Sequence, residues 1–306
     1  MTGPKEIFDR LAVRRHRDRA APCFGEHDFL IQEVAGRLRE RLGDIKRDFT
    51  SALELGSHGV APPTSFTVRA DLSPAMVARG PGPGPGPRPG SRPGSRIACD
   101  EEWLPFAPAS FDLVTSLLAL HWVNDLPGAL VQIRRSLRPD GLFLAAMLGG
   151  DTLGELREAL ALAESAEEGG ISPRLSPTVD LQDMGALLQR AGFALPVVDL
   201  DHLTVTYRHA FALMHDLRGM GETNALRERR KPFTRRATLM AAADIYTERF
   251  ADDDGRLAAT FQIVWLTAWA PDESQQKPLR PGSAKSRLAD ALDVEERPAG
   301  DKARPE

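Results

Sequence analysis

The chain has 306 residues, 42% of them apolar, and 39 lysines and arginines against 43 acids give a net charge of -4. That length supplies one large core or two small ones, and that charge excludes the basic face expected of a nucleic-acid binder. The two cysteines, Cys23 and Cys99, lie far apart and outside metal spacing, which excludes a disulfide scaffold and a zinc site. No apolar run reaches the length of a membrane span.

Arg10, Arg14, Arg15, Arg17 and Arg19 make an arginine-rich N-terminus that faintly resembles a transit peptide, but Glu6, Asp9 and Asp18 interleave with them. Transit peptides are poor in acids, so a solvated helix is expected and a cytoplasmic location with it. Phe29, Leu30, Val34, Leu38 and Leu42 recur at helical spacing and predict an amphipathic helix over 29–42, packed on a sheet. Residues 52–55 read as a buried strand closing on the loop Gly56-Ser57-His58-Gly59, and 66–70 as a second strand closed by Asp71. Only residues 60–65 separate that loop from Phe66. A crossover between parallel strands takes about a dozen residues or more, so the helix expected there is truncated or lost.

Residues 80–96 alternate glycine and proline and read as a disordered, solvated loop, since proline removes amide donors and glycine costs backbone entropy. Asp100, Glu101 and Glu102 follow, and 110–114 enter an apolar run ending at Leu120-His121-Trp122. Helical spacing over 126–137, with Asp125 as its cap, leads through the turn Arg138-Pro139-Asp140-Gly141 into a buried strand over 142–148. Helices are predicted over 152–168, ended by Gly169-Gly170, and over 180–191, stopped by Gly192. Short strands over 196–200 and 203–207, two helical segments in 209–250 broken at Gly219-Met220-Gly221, and a strand over 259–269 complete the pattern.

Alternating strands and helices indicate an α/β fold with a mostly parallel, doubly wound sheet. The order glycine loop, strand-end acid, second acid points to nucleoside binding at the carboxyl edge, a Rossmann-like class I S-adenosylmethionine (SAM) methyltransferase fold with an inserted helical cap. Glycine lets the backbone approach the ligand, and an acid closing the second strand can accept both ribose hydroxyls. Each feature also has a plainer reading, as a turn glycine or a helix-capping acid. The expected organisation is an N-terminal helical region over 1–50, a methyltransferase-like domain over 51–275 with cap segments about 151–170 and 209–250, and a polar tail over 276–306.

Several motifs together resemble the methyltransferase-like respiratory complex I assembly factors. They are Ile7-Phe8-Asp9-Arg10, residues 120–127 (Leu120-His121-Trp122-Val123-Asn124-Asp125-Leu126-Pro127), Gly149-Gly150-Asp151-Thr152-Leu153 with Glu155-Leu156-Arg157, Gly169-Gly170-Ile171-Ser172-Pro173, residues 216–224, and Glu273-Ser274-Gln275-Gln276-Lys277-Pro278. The resemblance implies the SAM-methyltransferase fold, SAM as cofactor and a protein substrate, with complex I assembly as the setting. Mitochondrial members are associated with hydroxylation of an arginine on a complex I subunit, and bacterial members are described as SAM-dependent methyltransferases. Carried onto this chain, it assigns Glu54, Gly56, Ser57 and Gly59 to the first cofactor loop, Asp71 to the ribose, and Asp100 with Glu101 to the adenine.

His121 is a candidate base or a hydrogen-bonded structural residue, and Asp151 a candidate catalytic acid or the cap of the following helix. For arginine modification, Asp151, Glu155 and Glu222 are candidates to hold a guanidinium in bidentate pairs. No facial-triad or other metal-ligand spacing stands out. Two alternatives stay open. A malonyl-carrier-protein O-methyltransferase of biotin synthesis would want a basic surface, for which Arg227, Arg229, Arg230, Lys231, Arg235 and Arg236 are available. A non-catalytic assembly chaperone with a degraded SAM site would be consistent with the short 60–65 link.

Overall fold

The computed structural model describes residues 6–56, 58, 64, 66–79, 94–174, 181–276 and 293–294. Ser57, Gly59, most of the 60–65 link and most of the Gly-Pro segment therefore lie outside the described residues, as does most of the expected tail. The chain divides into Met1–Asp272 and Glu273–Glu306, so the first fifty residues belong to the same unit as the sheet.

Helix α1 (Arg10–Ala20) is capped by Asp9, whose carboxylate accepts the Ala12 N–H at 3.0 Å. A 3-10 stretch, Ala21–Glu26, leads to α2 (Phe29–Gly43), which buries Leu30, Ile31, Val34, Ala35 and Leu38 as its spacing requires. Strands β1 (Ser51–Leu55) and β2 (Phe66–Asp71) precede the short α3 (Pro74–Ala78) and β3 (Arg96–Ala98). Then come β4 (Phe111–Leu117), α4 (Leu126–Ser136) and β5 (Leu137–Leu148), with Asp125 capping α4 through the Gly128 N–H at 2.9 Å, as expected. The remainder is α5 (Gly154–Glu168), α6 (Leu181–Arg190), β6 (Ala194–Tyr207), α7 (Ala210–Met220), α8 (Arg236–Phe250) and β7 (Leu257–Trp269).

The sheet order is β3-β2-β1-β4-β5-β7-β6. Every neighbouring pair among β1 to β5 is parallel, and β7 runs antiparallel to both β5 and β6. Side chains alternate across each strand. Leu142, Leu144, Ala146, Ile263 and Trp265 face a core shared with α2, α5, α7 and α8, while Phe143, Ala145, Met147, Val264 and Leu266 face α4 and α6. The expected cap segments are thus part of one helical layer on the sheet. Chain order reverses between β1 and β4, and ligands of doubly wound sheets bind beyond the strand ends at that point.

Several expectations change in detail. β1 and β2 pair side by side, Ser51 with Phe66 through Leu55 with Ala70, although only residues 56–65 join them. No helix is described between Leu55 and Phe66. Arg96, read as the end of the Gly-Pro loop, begins β3 because it pairs with Arg69 of β2. The two short strands expected over 196–207 are one strand. Asp201 and His202 interrupt the apolar pattern but are satisfied across the pair, Asp201 by the Trp265 indole N–H at 2.8 Å and His202 by Gln262 at 3.2 Å. Helix α5 starts at Gly154 rather than Thr152, because Leu153 is left-handed (φ 54°) and its side chain is buried.

Candidate functional site

The nucleoside corner lies beyond β1, β2 and β3. Gly56 leaves β1 at φ 73°, and a Cβ there would overlap that of Ala119, just past β4. Glycine at this position therefore serves the packing of two strand ends. Glu54 is 4% exposed and pairs with Arg69 Nε at 3.3 Å on the adjacent strand. Asp71 is fully buried, its Oδ1 accepting the Ser73 N–H at 2.6 Å. Its Oδ2 faces Arg17 Nη1 of α1 at 3.4 Å.

Arg17 also donates to Glu101 at 2.8 Å, and Arg10, one helical stretch earlier, pairs with Asp100 at 2.6 Å and with Glu101. The arginine-rich helix is therefore not solvated on this face: Arg17 is 3% exposed and Glu101 1%. The composition pointed the other way because the acids that bury these arginines lie 54 to 91 residues along the chain. Burial disfavours the Arg17 charge, but Asp71 and then Glu101 outweigh it and hold the guanidinium charged. Glu101 is depressed despite its burial by Arg17 and Arg10, while Asp71 is raised, chiefly by burial.

His58 packs close enough to Arg17 to feel its charge. It is 7% exposed, its ring stacks on Phe24 at 5.3 Å, and burial and the Arg17 charge push its pKa down to about 3.

These residues decide whether the corner fits SAM. A ribose needs a carboxylate within reach of its hydroxyls. Here Asp71, Ser73 and Glu101 are sealed to within 1% of full burial, and the acids are neutralised by α1. As arranged, the donor set does not fit the nucleoside.

A cavity of about 540 Å³ opens beside this corner. Its walls include Ile7, Phe8, Leu120 to Asn124, Leu148, Gly149, Leu153, Leu217, Glu222 and Asn224. Four of the motifs that carried the resemblance thus meet in one place, which sequence order alone does not show. Phe8 meets Trp122 edge-on at 5.4 Å, and Asn124 Oδ1 accepts the Ile7 and Phe8 N–H groups at 2.8 and 2.7 Å.

Within the cavity, Glu222 Oε2 accepts from His121 Nε2 at 3.1 Å and from the Trp122 indole at 3.0 Å. Burial raises the Glu222 pKa, but His121 and Arg17 outweigh it and keep the carboxylate below its ordinary range. None of the described hydrogen bonds uses Oε1, and His121 Nδ1 is buried without a hydrogen-bond partner. His121 and Glu222 are brought together; Asp151 is not. Its side chain is exposed and accepts from Gln262 Nε2 at 2.9 Å, so it neither lines the cavity nor caps α5. Glu155 is likewise taken, by Thr260.

Arg157, Arg174 and Arg190 also line the cavity, with Arg174 paired to Glu164. Of the expected basic cluster, Arg227 pairs with Glu6, Arg229 with Asp9 at 2.9 Å and Arg230 with Glu168. Among the described residues, no helix is long and apolar enough to cross a membrane.

Sheet order and switch-point site define a methyltransferase fold, and a family profile described as a methyltransferase domain matches residues 53–145. The solved YcgJ protein of Bacillus subtilis superposes with a TM-score of 0.51 at 15% identity, covering 78% of this chain and 99% of that one. Among curated proteins, the mitochondrial arginine-hydroxylase NDUFAF5 of Danio rerio is 41% identical over 93% of this chain and 89% of its own length. The malonyl-[acyl-carrier protein] O-methyltransferase of Laribacter hongkongensis is more distant, 34% identical over 90% of this chain and 94% of its own length. The chain belongs to the NDUFAF5 family within the class I SAM-dependent methyltransferase superfamily.

Proposed function

We propose that this protein is a cytoplasmic, methyltransferase-like assembly factor of bacterial respiratory complex I that takes an arginine side chain of a complex I subunit into the cavity beside its nucleoside corner. The observation that carries the reading is the Glu222 carboxylate, ionised, half-buried on the wall of a mainly apolar cavity and fixed by two N–H donors on Oε2. A carboxylate has about four acceptor positions, so Oε1 remains to pair with a guanidinium. The apolar walls, Phe8, Leu148, Leu153 and Leu217, suit the methylene stem of the arginine.

SAM is the cofactor the superfamily implies, and Gly56, Asp71, Asp100 and Glu101 are the residues it would use. It reaches them only if α1 withdraws Arg10 and Arg17. His121 is the group that fixes Glu222 in place, donating from Nε2 to Oε2, while its Nδ1 has no hydrogen-bond partner.

A second reading has its own support: Arg157, Arg174 and Arg190 on the cavity wall favour an anionic ligand such as a malonyl thioester. The basic cluster at 227–236 gives that reading less help, because three of its arginines are already paired.

The test is titration of the full chain with acetyl-arginine amide, acetyl-lysine amide and malonyl-pantetheine, read on the indole N–H resonance of Trp122. The arginine reading expects a saturable shift with the arginine amide that Glu222→Gln reduces by about tenfold, the effect of losing a charge-assisted hydrogen bond to Oε1. A shift with malonyl-pantetheine alone, lost in Arg190→Ala, would replace it with the carrier reading.

A further inference from the structure

Helix α7 carries a second group of donor atoms outside the cavity. His27, which closes the 3-10 stretch after α1, points Nδ1 at Asp216 Oδ1, 2.7 Å away, and its ring centroid lies 4.9 Å from that of His215. One donor atom from each of His27, His215 and Asp216 lies within 4.8 Å of the other two.

The backbone is shaped to admit this approach. A Cβ at Gly219, about one turn further along α7, would overlap the His27 ring, so glycine lets the imidazole lie against the helix. His27 itself is 8% exposed, and its N–H donates to Phe24 O at 3.0 Å, which fixes where the ring starts. Asp216 is half-buried and His215 exposed.

We propose that His27, His215 and Asp216 bind one divalent first-row transition metal ion, through two imidazole nitrogens and a carboxylate oxygen, leaving further positions open to water. Imidazole and carboxylate donors suit such ions at roughly 2.0–2.2 Å. Donors around one ion are then at most about 4.4 Å apart. The three donors here lie within 4.8 Å of one another, so the spacing needed around one ion is within the reach of a side-chain rotation at the exposed His215. The His–Asp hydrogen bond and the contact between the two imidazole rings gather the three side chains, and an ion would use a donor atom of each. Three protein donors with open positions is the pattern of reactive rather than closed structural sites. Asp216 also precedes Leu217, a wall residue of the cavity, so one helix carries both sites.

The site does not rest on the arginine reading, and its test reads metal directly. Full-length protein stripped with chelator is titrated with Co(II), followed by its visible absorption, and the bound Co(II) is then displaced with Zn(II). One equivalent is expected to bind with the spectrum of nitrogen–oxygen coordination. His215→Ala and His27→Asn should each weaken it by at least about tenfold, and His202→Ala, remote from the triad, should leave it unchanged. His215 is exposed, so its variant keeps the fold, checked by circular dichroism, and remains informative if the His27 variant does not. Absence of saturable binding, or binding unaltered in His215→Ala, overturns the proposal.

Discussion

Arg17 of α1 and Asp71 at the end of β2 face each other at 3.4 Å, with side-chain exposures of 4% and 0%. In a doubly wound sheet that acid stands where a ribose would be expected, and here an internal guanidinium has taken the position. Glu101 completes the group from beyond β3, so α1 is fastened across two strand ends. Removing one partner of a buried pair leaves an uncompensated charge, at a cost of about 3–5 kcal/mol. Arg17→Ala should lose stability on that scale in urea unfolding, while Arg14→Ala, whose contact with Asp18 is exposed, should change it by less than about 1 kcal/mol. Equal, small effects would show that the corner is not closed by this pair.

A buried and a half-buried histidine weaken the fold toward acid. His58 falls to about 3 and His16 to about 4 from an ordinary 6.5, both mainly through burial. Below 6.5 the unfolded chain binds protons that the folded chain refuses, so stability falls as pH drops from 6.5 toward 4. Asp71, raised in the fold, works the opposite way above 3.8 but is one group against two. The melting temperature should therefore decline across that window, and His58→Leu should flatten the decline. A wild-type melting temperature constant from pH 6.5 to 4.5 would contradict this.

The thiols offer a simple count. Cys23 is exposed, whereas Cys99 is half-buried and its pKa is pushed up to about 12 by burial and by Glu101, Asp100 and Asp71. Thiolate is the reactive form, so a disulfide reagent should titrate one thiol in native protein and two after denaturation. Two fast native thiols would mean that the acidic cluster is open.

Strand β6 provides a packing test. Asp201 accepts the Trp265 indole and pairs with Arg37 at 3.1 Å, in mid-strand beside the fully buried Trp265. Asp201→Ala leaves a buried N–H unsatisfied and should cost about 1–3 kcal/mol by denaturant unfolding. An unchanged midpoint would place Trp265 elsewhere.

The same residues show what the sequence could and could not reveal. Runs such as 142–148 and 259–269 read as strands because apolar spacing records burial locally. The glycine after β1 and the acids at 71, 100 and 101 were recognisable because the fold fixes their order along the chain. Asp201 and His202 broke that signal, since their partners sit on a strand some sixty residues away. The burial of Arg17 and the pairing of His121 with Glu222, 101 residues apart, are tertiary facts with no local trace. The donors His27, His215 and Asp216 escaped notice for the same reason: 189 residues separate His27 from Asp216. Gly219 reads in the sequence as part of a break between two helical segments, whereas it lies within α7 and lets His27 approach the helix.

The most direct test of the account is calorimetric titration of the full chain with SAM, alongside the Arg10→Ala, Arg17→Ala double variant with its folding verified. A nucleoside corner closed by α1 predicts no binding at micromolar SAM for the wild type and measurable binding once the arginines are removed. Micromolar binding to the unaltered protein, weakened by Asp71→Asn, would show that SAM takes Asp71 with α1 in place, and the closed corner would have to be abandoned.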